Sequence, residues 1–179
     1  CEPRDKSKNS FGEFQGQAVC ALHRVADYID KLRSLGVFEN TMMFVISDHG
    51  ARYGFLKRPD GKGGPPGYVM SSATPSIAFH DFGDNRPFST SPAPAMLADI
   101  YPTILAPLQI STQTFGTDLR KVAPDAKRDR PYMFFRNAGD ASGEYLSKID
   151  RFVIRGNVHD PRAWAQDERD EQGSRKALP

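Results

Sequence analysis

Asp48 and His49 stand side by side at the end of the segment Thr41-Met42-Met43-Phe44-Val45-Ile46-Ser47-Asp48-His49-Gly50. A carboxylate next to an imidazole offers one hard oxygen and one borderline nitrogen, a donor pair suited to a divalent metal, and Gly50 lets the backbone bend sharply behind them. Two such donors make half of a metal site. The preceding run from Met42 to Ile46 is apolar without a break, the pattern of a strand buried on both faces. In open α/β sheets the crevice beyond the carboxyl end of such a strand is where ligands bind. The same residues also suit an ordinary strand-to-loop turn with His49 at the surface, and local pattern alone leaves both readings open.

Other chemistry-bearing residues follow. The stretch from Ala51 to Thr74 reads as a long loop rich in glycine and proline that carries Arg52, Lys57, Arg58 and Lys62. Loops of this length inside compact domains are usually functional or disordered. Gly61-Lys62-Gly63-Gly64 has neither the spacing nor the strand-then-helix context of a phosphate-binding P-loop. His80 ends a second apolar run, Ser76-Ile77-Ala78-Phe79; it can serve as a ligand or proton donor in the same crevice, or be satisfied by neighbouring backbone. Asp99 reads as a helix cap, with Pro102 in the first turn of a helix that continues through Ile104, Leu105 and Leu108.

The elements that must position these residues are visible in the hydrophobic pattern. Ala18, Leu22, Val25, Ile29 and Leu32 recur at three- and four-residue spacing, which predicts an amphipathic helix from about Gln15 to Leu35 with Gly36 as its stop. A helix feeding a buried strand is the αβ unit of a mainly parallel sheet. Tyr132 to Phe135 and Phe152 to Ile154 suit two further strands in a small antiparallel C-terminal segment, and the residues after Trp164 read as a frayed tail. The expected organisation is a lead-in over 1–14, an α/β core over 15–120, C-terminal strands over 121–164 and a flexible tail over 165–179.

Composition limits the function classes. The 179 residues are 39% hydrophobic and 26% charged, ordinary for a folded chain with a sizeable core. The 24 basic and 22 acidic residues give a net charge of +2, too balanced to point to nucleic acid or a membrane surface as a partner. No apolar stretch approaches the length of a transmembrane helix, and no signal peptide is expected. Cys1 and Cys20 fit neither a disulfide-rich scaffold nor a zinc cluster, and Cys20, among Ala18, Val19, Ala21 and Leu22, reads as a small core residue. Cys1-Glu2-Pro3-Arg4 shares its opening with the Cys-x-Pro-x-Arg signature of formylglycine enzymes, but Asp5 stands where that signature has arginine, and the match is read as coincidence.

Several separated segments together resemble one family. Leu32-Arg33-Ser34-Leu35-Gly36-Val37-Phe38-Glu39-Asn40-Thr41, the apolar strand, Ser47-Asp48-His49-Gly50, then Asp99-Ile100-Tyr101-Pro102-Thr103-Ile104-Leu105 and Gly116-Thr117-Asp118-Leu119 look like the C-terminal half of a sulfatase-type domain of the alkaline phosphatase superfamily. The resemblance spans about residues 15 to 120. It implies an α/β sandwich with a mainly parallel sheet and a metal at the sheet's carboxyl edge, with Asp48 and His49 as ligands. In this family a metal ion activates a Ser, Thr or formylglycine nucleophile and offsets charge on the non-bridging oxygens of a phosphoryl or sulfuryl centre. A further cation is expected near the leaving group, with Lys62 the first candidate, and Lys57 and Arg52 are expected to bind substrate. His80 is the second catalytic candidate.

The resemblance also implies what is missing. The family's nucleophile and remaining carboxylate ligands come from the half of the domain that precedes the opening helix, and no segment here replaces them. The chain is therefore expected to be a fragment that holds metal weakly and does not turn over alone, with the missing half of the domain as its partner. Imidazole at position 49 favours zinc or manganese, with calcium the alternative. The expected activity is hydrolysis of a sulfate or phosphate ester, on an envelope glycan or lipid, at the extracytoplasmic face of a membrane or in the periplasm. Two other classes stay in view: a phosphotransferase similar to lipoteichoic acid synthases, and a non-catalytic pseudoenzyme or binding module. Phosphoethanolamine transferases share Asp-His but continue with Glu-Ser-Leu-Gly, whereas Ala51-Arg52-Tyr53-Gly54 follows here.

Overall fold

The computed structural model describes residues 11–51, 65–135 and 149–167. They fall into two compact units, one made of residues 11–46 and 77–88 and the other of the described residues within 47–76 and from 89 onward.

The first unit is built on helix α1, Phe11–Ser34. Its end follows from Gly36, which adopts a left-handed φ of 66°. That conformation turns the Val37 N–H back to Leu32 O and the Gly36 N–H to Arg33 O, at 3.1 and 2.9 Å, a Schellman stop that satisfies the orphan carbonyls of the last turn. The apolar stripe expected on this helix is only partly covered among the described residues; Leu22 is 59% exposed, while Val25, Ile29 and Leu32 are half-buried.

A 3₁₀ turn, Phe38–Asn40, then feeds strand β1, Met43–Ile46. Strand β2, Ile77–His80, pairs with it in antiparallel register, Met43 opposite His80 and Ile46 opposite Ile77. Phe44 and Phe79 face each other across the ladder with ring centroids 4.9 Å apart. Phe38 is the buried anchor of this unit. His80 stacks on its ring at 4.1 Å and the Arg33 guanidinium lies over it at 4.7 Å.

The second unit centres on a three-stranded antiparallel meander of β3 (Arg130–Phe135), β4 (Ile149–Ile154) and β5 (Trp164–Gln166) in the order β3-β4-β5. Helix α2, Gly67–Ser72, supplies Val69 and Met70 to the core they share with Phe134, Ile154 and Trp164. Tyr132 and Phe152 meet the Trp164 ring edge-on at 5.8 and 5.6 Å, and the indole N–H donates to Val158 O at 2.9 Å. An indole buried with its donor satisfied contributes apolar area without leaving an unpaired polar group.

Helix α3, Ile100–Leu105, follows a 3₁₀ turn over Leu97–Asp99 and is locked by its own motif residues. The Asp99 carboxylate has no exposed surface and accepts from Met96 N, Thr117 N and both guanidinium nitrogens of Arg128, each at 2.8 Å. Buried Thr103 donates through Oγ1 to Asp99 O at 2.6 Å and accepts from Leu119 N at 2.8 Å. Gly116 admits no side chain here, since a Cβ would stand 2.1 Å from Ala98 O.

Four expectations are corrected. A chain mixing helices and strands is present, but the described strands pair antiparallel in two small sheets, where a mainly parallel sheet was expected. Apolar continuity measures burial and carries no strand direction, so Met42 to Ile46 could not report it. Nor is β1 buried on both faces, since Ile46 is 49% exposed. The stretch read as one loop from Ala51 to Thr74 contains α2, which Pro65 and Pro66 concealed by sitting immediately before its first turn. The expected tail from 165 onward begins inside β5, which runs to Gln166.

The antiparallel pair expected near the C-terminus is present and extends further than the sequence suggested, from Arg130 and from Ile149. The helix with Asp99 before it and Pro102 in its first turn is present, but it ends at Leu105, short of the expected continuation through Leu108.

Candidate functional site

Beyond β1 the chain enters a turn that is fixed by backbone contacts. Ser47 N donates to Ser76 O at 3.1 Å, and Ser76 N donates to the Ser47 hydroxyl at 2.9 Å. Three residues on, buried Gly50 donates its N–H to Ser72 O, at the end of α2, at 2.9 Å. A Cβ at position 50 would lie 2.0 Å from Ser71 O and 2.7 Å from Thr74 O. Only glycine lets the backbone come this close to the end of α2. Thr74 Oγ1 donates to the same Ser71 carbonyl at 2.6 Å.

Between these two anchors Asp48 and His49 project outward. Their side chains are 88% and 53% exposed. The Asp48 carboxylate accepts the His49 backbone N–H at 2.9 Å through Oδ1, while Oδ2 stands 3.8 Å from His49 Nε2. His49 Nδ1 lies 2.7 Å from Gly50 O. A carbonyl oxygen can only accept, so this contact makes Nδ1 the protonated nitrogen and leaves the Nε2 lone pair free in the neutral ring. Metal-bound histidines are commonly oriented in this way, by a carbonyl on the other ring nitrogen.

The donor chemistry suits a divalent ion. Ligand bonds of about 2.0–2.2 Å allow two donors on one ion to stand up to about 4 Å apart, and Asp48 Oδ2 and His49 Nε2 fall within that span. No group of three or more His, Cys, Asp or Glu able to hold a metal occurs among the described residues. Among the described residues Asp48 and His49 thus offer two donors, one oxygen and one nitrogen.

The remaining sequence candidates separate. Arg52, Lys57 and Lys62 lie outside the described residues. His80 belongs to the first unit, where it stacks on Phe38; its Nε2 is buried without a hydrogen-bond partner among the described residues. Asp99 holds the N-cap position before α3 as expected, but its carboxylate makes no capping bond to α3; it accepts Met96 N at the start of the preceding 3₁₀ turn and buries an ion pair with Arg128, 29 positions away, that nothing in local sequence announces. The contacts of Gly50 with Ser71, Ser72 and Thr74 were likewise illegible, because they depend on a helix hidden within an apparent loop.

Cys20 also departs from expectation. It was read as a small core thiol, and it is disulfide-bonded.

Among the described residues no helix is long and apolar enough to cross a membrane. Comparison of the chain with protein families, with curated proteins and with solved structures finds no match in any of the three.

Proposed function

We propose that this chain carries part of the metal site of a sulfatase-like hydrolase of sulfate or phosphate esters. The observation that carries the reading is the His49 ring, held through Nδ1 by Gly50 O with Nε2 3.8 Å from the Asp48 carboxylate. A surface histidine in an ordinary turn has no need of a glycine wedged against a helix end to fix its orientation. The resemblance of the flanking segments to the sulfatase-type domain supports the same assignment.

In this reading Asp48 and His49 hold a zinc or manganese ion, with calcium the alternative, and the ion supplies Lewis-acid charge and lowers the pKa of the nucleophile. The chain's own residues do the rest of what is assigned to it. Gly50 and the end of α2 orient the imidazole, Lys62 serves the leaving group as cation, and Arg52 with Lys57 binds the ester's anionic oxygens. The nucleophile comes from a complementary half of the domain. Support for such a half comes from the part-exposed stripe of α1 and from the two-stranded β1–β2 sheet, an arrangement that is marginal by itself and gains from added strands. In the intact domain that sheet extends into the mainly parallel sheet of an α/β sandwich.

The test is elemental analysis and turnover of an aryl sulfate and an aryl phosphate by the intact parent protein. One bound divalent ion, lost together with turnover in Asp48→Ala and in His49→Ala, is expected. Full metal content and turnover in both variants would sink the assignment. A threonine nucleophile and transfer to an alcohol in place of water would shift it to the phosphotransferase class.

A further inference from the structure

Arg130 opens β3 and is half-buried. Its Nη2 donates to Gly156 O, in the stretch after β4, while its Nε is shut off from solvent with no acceptor among the described residues. Four other arginines of the same unit each hold a carboxylate at 2.7–2.9 Å: Arg120 with Asp118, Arg128 with Asp99, Arg155 with Asp129 and Arg162 with Asp160. No carboxylate among the described residues pairs with Arg130. We propose that the Arg130 guanidinium binds a small oxyanion, a phosphate, sulfate or carboxylate group, which supplies that missing countercharge. This inference does not rest on the proposed metal chemistry, and either can fail without the other.

Charge balance favours such a ligand. A guanidinium presents its N–H donors in a planar fork, and the Gly156 carbonyl accepts one of them without bringing a net charge. A cation drawn partly out of water with no anion beside it is costly. Arg128 adds to that cost, because Asp99 already engages both of its Nη nitrogens and its charge still acts on Arg130. Burial first, and then the Arg128 charge, push the Arg130 guanidinium below its ordinary basicity, and Asp99 opposes the change without reversing it. A bound oxyanion reverses it.

The grip required is one the chain uses elsewhere. Arg155 holds Asp129 through Nε and Nη2, each at 2.7 Å. In Arg130 the Nε of that same edge has no acceptor among the described residues, and Nη2 carries a second hydrogen besides the one given to Gly156 O. A phosphate, sulfate or carboxylate that meets this edge accepts two parallel, charge-assisted hydrogen bonds. Gly156 is exposed, and the nearest atom that a Cβ there would meet is Ala163 Cβ, at 3.8 Å. Approach is therefore open on the Gly156 side, and seating the anion moves the Arg130 side chain outward until Nε is uncovered.

The test titrates the intact protein with sodium phosphate, sulfate and acetate at constant ionic strength, followed by calorimetry and by the nuclear magnetic resonance signal of the Arg130 Nε–H group. Saturable binding that moves this signal is expected, with affinity lower by about tenfold or more in Arg130→Met, which keeps the apolar stem and loses the charge. Arg130→Lys keeps the charge without the planar fork and should fall between the two. Phosphate and sulfate also stabilise proteins by exclusion from their surface, an effect that does not saturate and persists in Arg130→Met. Tighter binding of phosphate and sulfate than of acetate supports the site and assigns it to a phosphoryl or sulfuryl group; the reverse order supports it and assigns it to a carboxylate. Absence of saturation in the unaltered protein, an Nε–H signal that does not move, or equal affinity in Arg130→Met would overturn it. The signal is read on the unaltered protein, so the result stands even where a variant does not fold.

Discussion

Arg128 grips Asp99 with two parallel hydrogen bonds of 2.8 Å, Nη1 to Oδ2 and Nη2 to Oδ1, across 29 residues of sequence. The carboxylate has no exposed surface and the guanidinium side chain is 15% exposed, so this is a buried, geometrically complete pair. Such pairs contribute little over an apolar substitute but are costly to break, because the surviving charge is left without its partner.

Asp99→Asn is accordingly expected to cost about 3–5 kcal/mol. The pH dependence follows from the direction of the carboxyl shift. Burial pushes the Asp99 carboxyl up, but hydrogen bonds from Arg128, Thr117 N and Met96 N outweigh it and hold the group below its ordinary 3.8. A carboxyl held lower in the folded than in the unfolded state contributes stability that is present above the unfolded value and lost as pH falls through the folded one. Thermal unfolding followed from neutral pH to well below pH ~4 should therefore show a loss of stability that Asp99→Asn reduces. An unchanged acid profile in the variant would refute this role.

Gly50→Ala is expected to destabilise by about 3 kcal/mol, because the added methyl overlaps the Ser71 carbonyl and overpacking is relieved only by moving backbone. Displacement of the turn also moves His49 off Gly50 O. In the intact parent the variant should lose metal affinity even at temperatures where it remains folded. Urea unfolding and metal titration on the same preparation check both parts, and wild-type affinity in a folded variant would show that the wedge does not orient the site.

His80→Phe keeps a ring stacked on Phe38 and removes an Nε2 that is buried without a partner among the described residues. A buried polar group without a hydrogen bond costs about 1–3 kcal/mol, so the variant should be more stable by about 1 kcal/mol. Calorimetry checks this, and an unchanged or lower unfolding temperature in the variant would show that the His80 nitrogen is satisfied in the folded protein.

Gln109 adopts a left-handed φ of 56° after α3, where Ile110 N returns to Leu105 O and Gln109 N to Ala106 O at 3.3 and 3.1 Å. This is the same helix stop that Gly36 makes after α1, with a side chain where glycine is easier. Gln109→Gly should raise stability by about 1 kcal/mol. A lower unfolding midpoint in the variant would show that the Gln109 side chain makes a contact that outweighs its backbone strain.

The sequence by itself determined the elements whose signals are local. The spacing of Leu22, Val25, Ile29 and Leu32 and the glycine after them specified the body of α1 and its end, though not its start at Phe11 inside the expected lead-in, because helix periodicity and a left-handed stop are set within a few residues. The positions of β1 and β2 and the cap before α3 were legible to within a residue or two for the same reason. Adjacency alone likewise put Asp48 and His49 beside each other as two donors.

Tertiary structure decided what depends on residues far apart in the chain. Strand direction, α2 inside an apparent loop, the Arg128 partner of Asp99 and the clamp that α2 places on Gly50 all arise from contacts between distant segments. The free nitrogen of His49 is decided in the same way. The ring is oriented by the Gly50 carbonyl at Nδ1, and Gly50 is itself pressed against the end of α2, an approach that no spacing rule encodes.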